Sequence, residues 1–152
     1  MRSGHRLNAL GVLIPLIALG CRLLADTSIA ECEQLGEDLG DMNAVYTCYS
    51  ILAERQADAS ICELIPVEED GPGFVDRLRC YSRVAAVTGD LSLCTGSGFG
   101  VDAGIARDMC YSFAYDQACC MPAVMGREVE DPELCRTLEQ LIPDESLRDC
   151  GP

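Results

Sequence analysis

The residues of this chain that could do chemistry are its cysteines, above all the adjacent pair Cys119 and Cys120. Adjacent cysteines can form a vicinal disulfide, bond to cysteines elsewhere or remain as reactive thiols. Met121 and Met125 follow closely, and thioethers together with thiols suit soft metals. The pair therefore supports two alternatives, which are a thiol, redox or soft-metal function and a structural pair that links an irregular segment.

Most other chemistry is excluded by composition. The 152 residues include 25 Asp+Glu and 11 Arg but no Lys, and the single histidine is His5. Without histidine beyond the first residues, neither Ser-His-Asp and Cys-His catalysis nor His-ligated zinc or haem is possible, and without lysine there is no Schiff base. A formal charge of -14 also disfavours nucleic acid. We expect no enzymatic activity, no cofactor and no metal.

The first twenty residues have the pattern of an export signal. Arg2, His5 and Arg6 are positively charged, and residues 7–19 are mostly apolar. A span of thirteen residues is too short for a transmembrane helix, which needs about 20, but it suits the apolar part of a signal peptide. We therefore assign residues 1–20 to a signal peptide.

The end of this leader, Ala18-Leu19-Gly20-Cys21, resembles the lipobox of bacterial lipoproteins. The resemblance implies cleavage after Gly20 and acylation of Cys21. Arg22 stands where lipoproteins retained in the inner membrane carry Asp, which favours the outer membrane or the cell surface. The alternative is soluble export, to the periplasm or beyond, with cleavage near Ala25.

Two short motifs alternate along the rest of the chain. The first motif, Cys-Tyr-Ser, occurs three times, 32 and then 30 residues apart, at Cys48, Cys80 and Cys110. The second motif, Asp-x-x-x-Cys, follows each of them and ends at Cys62, Cys94 and Cys135. A period near 31 residues with two elements per period is typical of helical-hairpin repeats. The aspartates Asp58, Asp90 and Asp131 are predicted N-caps of short helices.

The Cys-Tyr-Ser motif is predicted to lie on longer helices. Apolar residues follow each cysteine at positions one, four and five, which is the spacing of one helical face; these are Tyr49, Leu52, Ala53, Tyr81, Val84, Ala85, Tyr111, Ala114 and Tyr115. The sequence therefore predicts an all-α, disulfide-stapled array of alternating short and long helices. We expect a linker over 21–30 and one domain over 31–152, with units of about 31–57, 58–89, 90–130 (carrying an insert) and 131–152.

The repeats resemble uncharacterised secreted cysteine-rich helical repeats of bacteria and archaea. The residues that carry the resemblance are Arg107-Asp108-Met109-Cys110-Tyr111 and the shorter Arg148-Asp149-Cys150, whereas Arg77-Leu78-Arg79-Cys80 departs from it. The resemblance implies a fold and no particular function.

Ten cysteines remain beyond Cys21, and export would place them where disulfides persist. Two pairing schemes are open. The first joins each short helix to the next long helix, as Cys32–Cys48, Cys62–Cys80, Cys94–Cys110 and Cys135–Cys150. The second begins Cys48–Cys62 and Cys80–Cys94 and leaves Cys32 and Cys150 without a local partner. We prefer the first scheme.

Together these patterns predict an exported protein, held on the membrane by its acyl anchor. It would act as a binding or structural module at the cell envelope, with another envelope protein as a possible partner. The thiol or soft-metal role of Cys119 and Cys120 is the alternative.

Overall fold

The described part of the chain is all-α. The computed structural model describes residues 27–67, 73–95, 103–144, 148 and 150, and no strand occurs among them. Its α-helices are α1 (Ile29–Leu39), α2 (Met42–Gln56), α3 (Gly73–Thr88), α4 (Ala103–Tyr115), α5 (Met121–Val124) and α6 (Pro132–Leu141). The 3₁₀ helices Ala59–Leu64 and Leu91–Thr95 and a π-helical turn, Asp116–Cys120, lie between them. The predicted fold class is confirmed, while the leader and Cys21 lie outside the described residues.

The three predicted aspartate caps are present. The carboxylates of Asp58, Asp90 and Asp131 each accept the backbone N–H two residues further on, at 2.9, 3.1 and 3.0 Å. Asp131 also accepts the N–H of Leu134 at 2.9 Å. Each carboxylate satisfies backbone donors that the first helical turn leaves without a partner, so these residues fix where the short helices begin.

Helix α1 begins at Ile29, inside the segment 21–30 that we expect to be a linker. Ser28 and Glu31 form a capping box: the Ser28 Oγ accepts the Glu31 N–H, and the Glu31 carboxylate accepts the Ser28 N–H at 2.6 Å. This reciprocal pair stabilises the start of a helix at Ile29. Asp41 caps α2 in the same way as the other aspartates, through the N–H of Asn43.

Two helices end in the same tripeptide, Leu-Ile-Pro. The first 3₁₀ helix ends at Leu64 and α6 ends at Leu141, and the next residues, Ile65 and Ile142, are extended with ψ of 114° and 113°. Proline disfavours helical backbone in the residue before it. The chain therefore leaves each helix at the isoleucine, and both isoleucine side chains are buried.

The long helices pack side by side, α2 on α3 and α3 on α4, with a 3₁₀ helix contacting each neighbouring pair. The predicted apolar face is buried at every position except Tyr81, which is half-buried. Two clusters of buried side chains result, one around α2 and one around α4 and α6. Helix α3 contributes to both, through Val84 to the first and Ala85 to the second.

Gly36 allows α1 to lie close against α2. A Cβ atom at Gly36 would overlap the Cγ2 of Val45, which is buried on α2. Only Cys32 and Gly36 of α1 are buried. The first helix is therefore held by one disulfide and one close backbone approach rather than by a broad apolar face.

The insert expected as irregular in the third unit is helical. Helix α4, the π-helical turn and α5 follow one another without a break from Ala103 to Val124. Within the turn, the Met121 N–H bonds to the carbonyl of Asp116, five residues back. Pro122 has no backbone N–H, so it cannot form the helical hydrogen bond to the residue four positions before it, and its ring would collide with that residue's carbonyl. A widened turn ahead of the proline relieves this steric conflict. The helix ends before Gly126, whose φ is 66°.

Candidate functional site

Three disulfides join a short helix to the long helix that follows it. They are Cys32–Cys48, Cys62–Cys80 and Cys94–Cys110, with sequence separations of 16, 18 and 16. These pairs agree with the preferred scheme. Each of them ties two successive elements of one unit together within a buried cluster.

The expected Cys135–Cys150 pair is wrong. Cys135 bonds to Cys119 across 16 residues, and Cys120 bonds to Cys150 across 30. Cys119 and Cys120 are adjacent residues of the π-helical turn, so their side chains point in different directions around the helix. Cys119 therefore faces α6 while Cys120 faces the C-terminal segment, and no vicinal disulfide forms between them.

All ten cysteines that the structure describes are thus in disulfides, and Cys119 and Cys120 are not a thiol pair. The same described residues contain no cluster of His, Cys, Asp or Glu able to hold a metal ion. The thiol, redox or soft-metal alternative accordingly loses its support, because the sulfur atoms of Cys119 and Cys120 are both bonded in disulfides. The pair links the π-helical turn that follows α4 to both α6 and Cys150.

One concave surface of the described residues is a groove along α2, which we call the α2 groove. Its volume is about 570 Å³, and its lining is mostly apolar. Helix α2 forms the floor, and Leu35 of α1 and Thr27 form one wall; the α2 residues are Ala44, Thr47, Cys48, Ile51, Leu52, Arg55 and Gln56, with Asp41 and Asn43 at the start of the helix. These positions repeat at helical spacing, so the groove follows one side of α2 from its start to its end, with Thr47, Ile51 and Arg55 exposed and Leu52 buried beneath them.

The α2 groove lies on the α1–α2 hairpin, which carries several exposed large apolar side chains. Leu35 and Ile51 are each 38% exposed, and Leu39 and Met42, on the same hairpin, are more than half exposed. The terminal repeats of a stacked array normally have a polar outer face. Here the first unit has an apolar one, which is typical of a surface that another molecule covers.

A second cleft, of about 380 Å³, lies between the end of α3 and the residues around the π-helical turn. Its lining is mainly polar and includes Glu54, Glu128, Glu130, Asp131 and Arg127. Asp131 is already used as the cap of α6. The cleft therefore offers an acidic surface with one arginine at its edge.

Three tyrosines have a pKa above the usual value of 10.0. Burial is the main cause for Tyr49, Tyr81 and Tyr115 alike. The Tyr115 hydroxyl also donates to the Glu139 carboxylate at 3.1 Å, and the nearby negative charge further raises its pKa. The rings of Tyr49 and Tyr115 belong to the buried clusters, and the ring of Tyr81 packs against both of them.

No protein-family model, curated protein or solved structure matches this chain significantly. None of the helices in the described ranges combines the length and the apolar character needed to cross a bilayer.

Sequence reasoning missed the α2 groove, although the sequence does contain a signal for it. The residue three places after the Cys-Tyr-Ser cysteine is Arg83 in the second unit and Phe113 in the third, but Ile51 in the first. Only a comparison of packing partners shows that this position faces the preceding long helix. The Ser28-x-x-Glu31 capping box was also readable from the sequence.

Proposed function

We propose that this protein is exported, is anchored to a membrane through acylated Cys21, and acts as a disulfide-stabilised binding or structural module at the cell envelope. The observation that carries the proposal is the set of five disulfides. Disulfides form and persist outside the reducing cytosol. The leader and its lipobox-like end supply the route and the anchor.

A binding or structural role is favoured over catalysis by the side chains available. After the leader the chain has neither histidine nor lysine, so general base catalysis near neutral pH would depend on carboxylates alone. The α2 groove instead offers apolar contact area bordered by polar groups, which is the usual composition of an interaction surface.

The anchor is tested by labelling cells with a palmitate analogue. We expect the label on the wild-type protein and none on a Cys21→Ser variant, which should move from the membrane fraction to the soluble exported fraction. Several acyl chains give firm attachment because each buried CH₂ contributes about 0.8 kcal/mol. An unlabelled wild-type protein, or a Cys21→Ser variant that still sediments with membranes, would contradict the anchor.

The compartment is tested separately by trapping free thiols with a maleimide in intact cells before lysis. We expect the ten cysteines beyond Cys21 to be protected until a reductant is added. Labelling of these cysteines in the native protein would contradict export to an oxidising compartment, whatever the state of Cys21.

A further inference from the structure

The position three residues after the Cys-Tyr-Ser cysteine contacts the preceding long helix in both later units. Arg83 of α3 reaches back to Glu54 of α2, with its Nη1 donating to Glu54 Oε2 at 2.7 Å. Phe113 of α4 packs against α3, where the Arg79 guanidinium lies 5.2 Å from the centre of its ring. The equivalent residue of α2 is Ile51.

Ile51 has no preceding long helix to contact, because α2 is the first long helix of the described array. It lies in the α2 groove and remains 38% exposed. By the repeat's own geometry, the α2 groove is therefore the place where a long helix would dock. An apolar isoleucine stands there, whereas the second unit has an arginine that forms an ion pair.

We propose that a second copy of this chain fills the α2 groove, with the two α2 helices packed antiparallel about a two-fold axis near Cys48. The size of the side chains favours this direction. The first half of the open face carries the small Ala44 and Thr47, and the second half carries the larger Ile51, beside which Leu52 is buried in the core. An antiparallel pair sets Ile51 of one copy against the small side chains of the other, which is how helices pack closely.

The charges that line the α2 groove also favour an antiparallel pair of α2 helices. Asp41 lies at the start of the open face and Arg55 near its end, about 21 Å apart along a helix that rises 1.5 Å per residue. Residue 48 is midway between them. An antiparallel two-fold pair therefore brings Asp41 of each copy to Arg55 of the other, whereas a parallel pair would bring Arg55 to Arg55.

The net charge of -14 opposes association of two copies, but charges further apart than about 8 Å are largely screened at physiological ionic strength. The contacts within the α2 groove are closer than that. The proposal does not depend on the lipid anchor, so a Cys21→Ser variant should associate as the wild type does.

The first test is site-specific photo-crosslinking in intact cells, with a photoreactive phenylalanine analogue at position 51. We expect a product of twice the mass of the protein, in which position 51 is joined to a peptide from α2 of another copy. The matched control places the analogue at Val87, which is exposed on α3 outside the α2 groove, and it should give no dimer. A product joined to residues 21–27 of the same chain, to lipid or to another protein would overturn the proposal, as would no product at all.

The second test compares charged variants of the full exported protein by native mass spectrometry from detergent. Ile51→Glu should be monomeric, and Val87→Glu should remain dimeric with unchanged circular dichroism. Asp41→Asn keeps the helix cap and removes one ion pair per copy, so we expect dissociation to become about tenfold easier. Arg55→Glu, which places two acids together, should weaken the dimer further. A monomeric wild type, or equal dimerisation of Ile51→Glu and Val87→Glu, would refute the two-fold contact.

Discussion

Replacing Gly36 with alanine should destabilise the α1–α2 hairpin, even though alanine is the better helix former. Alanine in a helix interior is favoured over glycine by about 0.5–1 kcal/mol. The added Cβ, however, would overlap the Cγ2 of Val45. Val45 is only 3% exposed, and valine in a helix has one strongly preferred rotamer, so its methyl group cannot simply turn away. Overpacking of this kind costs about 1–3 kcal/mol, and we expect a net loss of about 1 kcal/mol in the free energy of unfolding.

A double-mutant cycle with Val45→Ala separates the two effects. Val45→Ala alone removes two buried methyl groups and should cost about 1.5 kcal/mol. In that background the obstructing atom is absent, so Gly36→Ala should become stabilising by about 0.5–1 kcal/mol. The expected interaction energy is therefore about 2 kcal/mol. Urea unfolding with the disulfides intact, followed by circular dichroism, gives all four values.

The cycle would refute the close approach of α1 to α2 if Gly36→Ala stabilised the protein equally in both backgrounds. That result would mean that the alanine Cβ meets no neighbour and that only helix propensity changes. A loss of stability in both backgrounds would equally contradict the assignment of the conflict to Val45.

Three further changes probe the elements that position the disulfides. The Arg77 guanidinium donates to the carbonyls of Ile65 (2.6 Å) and Glu63 (2.9 Å) and so holds the end of the first 3₁₀ helix. In urea unfolding, Arg77→Ala should lower the free energy of unfolding by about 2 kcal/mol, and Arg77→Lys should lower it less. Equal stability of the wild type and both variants would contradict this role of Arg77. Asp131→Ala should cost about 1 kcal/mol by removing the cap of α6, while Asn at this position should leave stability nearly unchanged. Burial raises the pKa of Tyr115 above 10.0, so the folded state holds the hydroxyl proton of Tyr115 more tightly than the unfolded state does. The stability that this difference contributes to the folded state is complete below pH 10 and is lost as the pH rises through the folded-state pKa. The Tyr115→Phe variant should therefore lose less stability above pH 10 than the wild type, and identical pH profiles would contradict this.

The local signals of the repeat predicted most of the fold. Aspartate caps, apolar residues at helical spacing and prolines after the short helices are properties of neighbouring residues, and they placed Asp58, Asp90 and Asp131 at helix starts. The spacing of the cysteines was likewise enough for the pairs of the first three units.

The C-terminal disulfides depend on geometry that spacing does not contain. Sequence alone treated Cys119 and Cys120 as part of an irregular insert, because the aspartate-capped helix that follows Cys110 begins later than in the other units, only at Asp131. The π-helical turn lets the helix continue past Pro122, and that continuity sends the two sulfur atoms to different neighbours. The α2 groove was missed for a similar reason: whether Ile51 is covered depends on which helix packs beside it, not on its own neighbours in sequence.

Disulfide mapping of the native protein under non-reducing conditions tests the central claim most directly, namely that the covalent links join neighbouring helices and tie the π-helical turn after α4 to α6 and to Cys150. Trypsin cleaves after Arg107, Arg127, Arg136 and Arg148, which separates the peptides 108–127, 128–136 and 149–152. The account predicts that 108–127 is joined to both of the other two, with partial reduction assigning Cys119 to Cys135 and Cys120 to Cys150. A direct link between 128–136 and 149–152, a Cys48–Cys62 bond, or free thiols among the ten cysteines would contradict it.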